Sequence, residues 1–170
     1  NFGAPAPRLL ENPLDGVRIL EAVAEFREAR DQGVERRPQV IGPNPNPNTL
    51  GNFLYSNIIS DTHFTVWRNA ERNLIDVDDI VRIAIALIDQ GETGRAISIA
   101  ADHSVPMPEL VAIFERVIGK PANLSIEDRG TALTIDSNEA SRVAAGLGID
   151  LGPAYTERVI RKYYGQPKRN

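Results

Sequence analysis

Asn73-Leu74-Ile75-Asp76-Val77-Asp78-Asp79-Ile80-Val81-Arg82-Ile83-Ala84-Ile85-Ala86-Leu87-Ile88 is the stretch whose reading decides the fold. Asn73 to Val77 is a short, mostly apolar run of strand length. Asp78 or Asp79 then caps a helix, because a short carboxylate side chain accepts from the free amides of a first turn. Ile80, Ile83, Ala84, Leu87 and Ile88 recur at helical spacing and form one apolar face, and Gly91 stops the helix. A strand feeding directly into a helix is the repeating unit of α/β layering.

The same alternation extends in both directions. Toward the C-terminus, Ala96 to Ala100 alternates as a strand. Pro106 and Pro108 mark the entry to a helix with Leu110, Ile113, Phe114 and Val117 inward, ended by Gly119. Leu124 to Ile126 and Ala132 to Ile135 read as short strands, and helices near 138–146 and 153–164 follow. Toward the N-terminus, Phe64 to Trp67 reads as a strand, and Thr49 caps a helix carrying Leu50, Phe53, Leu54 and Ile58. Gly42-Pro43-Asn44-Pro45-Asn46-Pro47-Asn48 is a loop, since three alternating prolines remove amide donors and push each preceding residue out of the helical region. Arg37 to Gly42 is a short buried strand with Pro38 at its start. Asn12-Pro13 opens a helix with Leu14, Val17, Leu20 and Ala24 at helical spacing, and Gly33 is its stop. Residues 1–11 are irregular. The pattern is α/β throughout, with no internal repeat.

Composition bounds the function. The chain has 170 residues, 42% apolar and 25% charged, the values of an ordinary globular domain. A net charge of −4 argues against a broad nucleic-acid-binding face, while one or two arginines still suffice for a phosphate. With no Cys, disulfides, thiolate chemistry and Cys-ligated zinc are excluded. The longest apolar stretch, Ile80 to Ile88, is too short to span a bilayer, and no signal-peptide pattern opens the chain. A cytoplasmic location is the expectation. The chain begins without Met, as a fragment or a processed product would.

Four stretches in order resemble the NAD(P)-dependent epimerase/dehydratase family of extended short-chain dehydrogenases. Arg37-Pro38-Gln39-Val40-Ile41-Gly42-Pro43 looks like the strand and turn that lead into the family's substrate domain. Arg72-Asn73-Leu74-Ile75-Asp76-Val77-Asp78-Asp79-Ile80-Val81 is similar to its Arg, apolar pair and Val-x-Asp pattern. Gly94-Arg95-Ala96-Ile97-Ser98-Ile99-Ala100, then Pro108-Glu109-Leu110-Val111 and Ile118-Gly119-Lys120, look like its strand, Glu-Leu helix and Gly-Lys unit. Ile135-Asp136-Ser137-Asn138 and Gly146-Leu147-Gly148 match its closing helix cap and Leu-Gly element. Pro45 to Leu50 resembles a smaller subgroup. The resemblance covers residues 37–164 and implies residues 1–42 as a remnant of the Rossmann dinucleotide-binding domain and 43–170 as a small mixed α/β substrate-binding portion. It further implies NAD or NADP in the parent protein, a nucleotide-sugar as ligand, and no nucleic acid or membrane partner. A homodimer is one arrangement the family uses.

Two family signatures do not match. The sequence has no Gly-x-x-Gly-x-x-Gly spacing, whose glycines seat a pyrophosphate on a helix N-terminus. The only Tyr-x-x-x-Lys spacing is Tyr164 to Lys168, interrupted by Pro167, and reads as coincidence rather than as the family's proton-transfer pair. No catalytic residue is assigned; this chain alone is not expected to perform the redox step.

The resemblance implies that Arg72 reaches the diphosphate of a bound nucleotide-sugar, a task suited to the fixed fork of a guanidinium; the alternative is an exposed Arg before a strand. Asn48, Thr49 and Asn52 fall where the family's substrate loop enters a helix; the alternative is turn chemistry with an ordinary cap. Trp67, the sole Trp, either stacks on a base or sugar or packs in the core. Asp78-Asp79 reads as a cap before any metal or acid/base pair. His63 and His103 have no ligand spacing around them. Arg161-Lys162 and Lys168-Arg169 complement a helix C-terminus.

Overall fold

A computed structural model describes residues 38–92 and 96–165, all within the compact unit Arg36–Asn170. The helix read over residues 12–33, Arg37, Gly94-Arg95 and Lys168-Arg169 lie outside the described residues. The described elements are β1 (Gln39–Ile41), α1 (Leu50–Ser60), β2 (Phe64–Trp67), β3 (Glu71–Arg72), β4 (Leu74–Asp76), α2 (Val77–Asp89), β5 (Val105–Pro106), α3 (Met107–Ile118), β6 (Leu124–Glu127), α4 (Asn138–Gly146) and α5 (Tyr155–Tyr164). Strands and helices mix in one α/β arrangement, as the alternation predicts. No helix among the described residues is long and apolar enough to cross a membrane.

The strands form three two-stranded ladders. β1 and β4 are parallel, with Val40 opposite Ile75; β2 and β6 are parallel, with Val66 opposite Ile126; β3 and β5 are antiparallel, with Arg72 opposite Val105. All three β4 residues are buried, as in a parallel strand covered on both faces. The core lies between the ladders and α1, α3 and α5. Leu54 and Ile58 of α1 lie one turn apart and are both buried, α3 contributes Leu110, Val111 and Phe114, and α5 contributes Val159 and Ile160. Gly119 ends α3 in the left-handed region at φ 78, the conformation that favours glycine at a helix stop.

Four expectations are corrected. The helix after β4 is capped by Asp76, whose carboxylate accepts from the Asp78 amide at 2.9 Å; Asp78 and Asp79 sit in its first turn. The strand ends without a linker, so the cap is the last strand residue. The two later carboxylates still suit the positive end of the helix. Residues 96–100 alternate in burial but form no ladder. The buried Asn73 stands in for strand pairing there: its side chain accepts from the Ala101 amide at 3.0 Å and donates to the Ala101 carbonyl at 2.9 Å. Residues 132–135 likewise form no strand. Within them Leu133 N–H donates to the Glu71 carboxylate, and just before them the Thr131 carbonyl accepts from Glu71 N–H. Finally, the core-packing alternative for Trp67 fails: it is 46% exposed, because β2 buries Phe64 and Val66 and turns Thr65 and Trp67 outward.

Candidate functional site

The proline-asparagine loop is ordered by its own side chains. The amides of Asn46 and Asn48 donate to the side-chain oxygens of Asn44 and Asn46, both at 2.9 Å, two consecutive Asx turns. Thr49 occupies the N-cap position of α1, but its hydroxyl donates to the Asn46 carbonyl at 3.2 Å instead of capping the helix. Asn52, in the first turn of α1, donates to the carbonyls of Asn44 and Asn46, each at 2.8 Å. Asn48, Thr49 and Asn52 are therefore neighbours around one turn at the start of α1.

Arg72 lies elsewhere on the same ladder system. The loop leaves β1 after Ile41, which pairs with Asp76, whereas Arg72 enters β4 ahead of Leu74, which pairs with Gln39. The loop and Arg72 thus meet the β1–β4 ladder at opposite ends. The half-buried Arg72 guanidinium donates to the carbonyl of Glu71 at 2.7 Å and has no ion-pair partner among the described residues. Trp67 stands on the outer face of β2, away from the core. The described residues contain no cluster of His or carboxylates able to hold a metal ion.

A second cluster, which sequence reasoning missed, gathers at the β4–α2 junction. Asp76 is 4% exposed and accepts three hydrogen bonds: from the Asp78 amide, from Lys162 Nζ at 2.7 Å and from the Tyr163 hydroxyl at 2.8 Å. Lys162 also donates to Asp78 at 2.7 Å. The Tyr155 hydroxyl donates to Asp79 Oδ2 at 2.7 Å and accepts from the Asp76 amide at 3.0 Å. Arg161 and Lys162 do occupy the last turn of α5, but their side chains pair with Glu157 and with Asp76 and Asp78. One signal could have exposed the cluster: Asp76 is a charged side chain inside an apolar strand, and burial of a charge demands a partner.

The electrostatics follow from these contacts. Burial tends to raise the Asp76 carboxyl, but the hydrogen bonds from Lys162, the Asp78 amide and Tyr163 outweigh it and hold the group below its usual value. Those bonds to Asp76 and Asp78 in turn push the Lys162 ammonium up. Burial, reinforced by the bond to Asp79, pushes the Tyr155 phenol far up, so it keeps its proton at any physiological pH. A cleft of about 240 Å³ opens over this cluster, lined by Asp76, Asp79, Arg82, Asp150, Tyr155 and Arg158 among others. Its cations are already paired, Arg82 with Asp79 and Arg158 with Asp150. The cleft is thus lined by paired charges and by a phenol that keeps its proton.

No family model and no curated protein matches the sequence. Solved structures do match in fold. A UDP-glucuronic acid 4-epimerase from Bacillus cereus in complex with NAD aligns with TM-score 0.57 and 16% identity, over 92% of this chain and 51% of that one. A dTDP-glucose 4,6-dehydratase from Bacillus anthracis, also with NAD, gives 0.56 and 15% over 96% and 54%. MoeE5 in complex with UDP-glucose and NAD gives 0.56 and 18% over 74% and 43%. The chain spans about half the length of these structures. Its order of short strands and helices, from β1 to α5, therefore has the fold of the NAD-dependent sugar epimerases and dehydratases of the extended short-chain dehydrogenase class, over about half of their length.

Proposed function

We propose that this chain is the nucleotide-sugar-binding part of an NAD(P)-dependent sugar epimerase, dehydratase or reductase. The observation that supports it most is the alignment of nearly the whole chain with half of enzymes named for UDP- and dTDP-sugars. Arg72 would meet the diphosphate, the turn at Asn48, Thr49 and Asn52 would meet the sugar or the far phosphate, and the exposed Trp67 would offer a stacking face. Arg72 and the loop flank the three-residue β1–β4 ladder from its two ends. The second reading is a non-catalytic nucleotide-sugar-binding or structural module on the same fold.

Calorimetric titration of the chain with UDP-glucose, UDP-glucuronic acid and dTDP-glucose tests the proposal. Saturable one-to-one binding of at least one is expected. A folded chain that binds none of them leaves only a structural role. Arg72→Ala should weaken binding by about 1.5–3 kcal/mol, the scale of one hydrogen-bonding partner to a charged group; an unchanged affinity removes Arg72 from the site.

A further inference from the structure

The last residue of α5 reaches across to the proline-asparagine loop. The Tyr164 hydroxyl donates to Asn52 Oδ1 at 3.0 Å, while the amide nitrogen of the same Asn52 donates to the two loop carbonyls. Asn52 is thus satisfied at both ends by groups of the right kind: two acceptors on its nitrogen and a donor on its oxygen. Beside the loop's own Asn44 and Asn46 side chains, Thr49 and Asn52 at the start of α1 hold it from outside. The prolines at 43, 45 and 47 have no amide to contribute.

The approach of Tyr164 is built into both helices. A Cβ at Gly51 would collide with the Tyr164 hydroxyl and ring, so glycine at this position lets the phenol lie over the first turn of α1. The ring is fixed by Tyr55 and Phe114, with centroids at 5.4 Å and 5.2 Å. Burial raises the phenol above its usual value, which keeps the donor protonated.

We propose that Tyr164 is a positioning residue: acting through Asn52, it sets the shape of the Asn44–Asn48 loop used by the nucleotide-sugar site. The proposal rests on the function inferred above for that loop. Tyr164→Phe in the full chain keeps the ring packing and removes only the donor. By solution NMR, the Asn52 side-chain amide and the backbone amides of Asn46 and Asn48 should shift. Val159→Ala, a destabilising change buried on the same helix, should leave these resonances in place. Asn52→Ala should displace the Asn46 and Asn48 amides in the same direction, and the double variant should add nothing further. Resonances unmoved by Tyr164→Phe, or moved equally by Val159→Ala, would overturn the proposal. Affinity for UDP-glucose should fall roughly two- to twelve-fold in Tyr164→Phe, the span of one neutral hydrogen bond. Shifted loop resonances with unchanged affinity would show a positioned loop that the site does not use, which also overturns it. If the wild-type chain binds no UDP-sugar, the functional reading falls, and the resonances alone decide whether Tyr164 shapes the loop.

Discussion

Replacing Asp76 by Ala should cost about 2–3 kcal/mol of stability, and the structure shows where that comes from. The carboxylate is the N-cap of α2, and loss of such a cap costs about 1 kcal/mol. It also accepts from Lys162 and Tyr163. A hydrogen bond to a charged group is worth about 1.5–3 kcal/mol when both partners are dry. Lys162, however, is 45% exposed and keeps Asp78 as a partner, so its share is discounted to about 0.5–1 kcal/mol. The half-buried Tyr163 hydroxyl can turn partly to water and adds a similar amount. Asp76→Asn keeps a capping oxygen and loses the charge, so it should cost less, about 1–2 kcal/mol. Equilibrium urea unfolding followed by circular dichroism reads both. An Asp76→Ala midpoint that matches the wild type with an unchanged slope would refute the assignment of Asp76 as the hub of this junction.

The same carboxylate makes the chain acid-sensitive. Its folded value lies below the unfolded one near ~3.9, so its contribution is present above that pH and is lost as pH falls through the folded value. The stability gap between wild type and Asp76→Asn should therefore shrink in unfolding curves taken below about pH 4, and a gap constant with pH would contradict this. Lys162 has the opposite sign: its contribution is full below an unfolded value of ~10.4 and is lost as pH rises through the folded one, so Lys162→Met should narrow the difference in stability between neutral and strongly alkaline pH. Asn73→Ala should cost about 2–4 kcal/mol, because the buried amide leaves the Ala101 amide and carbonyl without partners; a loss under about 0.5 kcal/mol in urea unfolding would mean that residues 96–101 are held otherwise. Gly130→Ala should cost at least about 2 kcal/mol. Its φ is 96 and a Cβ would stand 2.5 Å from the Ala70 nitrogen, so a thermal midpoint equal to wild type would show that the segment gives way freely.

The parts of the fold legible in the sequence are those where one local signal dominates. α3 has an apolar face of helical period, proline at its entry and a left-handed glycine at its end, and its boundaries fall where those signals put them. The loop at 42–48 is legible for the same reason, since alternating proline leaves the chain little choice. The misreadings fall where pairing is decided by distant residues. Ile97 and Ile99 alternate as strand residues and do pack on the core, but whether a segment joins a ladder depends on a neighbour, and here the neighbour is the side chain of Asn73. β3 and β5 are two residues each, too short to leave any periodic trace. The exposure of Trp67 followed from the register of β2 against β6, which no composition argument fixes.

The site was less legible than the fold because its contacts join residues far apart in sequence. Lys162, Tyr163 and Tyr164 are consecutive, and read in sequence they look like the basic and aromatic end of an amphipathic helix. On a helix, successive side chains point about 100° apart. The first two therefore reach Asp76 and Asp78 at the start of α2, and the third reaches Asn52 at the start of α1. One turn of α5 fastens two helix beginnings, one of them next to the loop proposed to meet the ligand. Loop shape and the stability of the β4–α2 junction thus share a single support. The coupling has a direction that can be read: Lys162 and Tyr163 bond to the junction, and Tyr164 bonds to Asn52, which in turn holds the loop. Changes at 162 or 163 should therefore appear first in unfolding midpoints, and a change at 164 first in the resonances of Asn46 and Asn48.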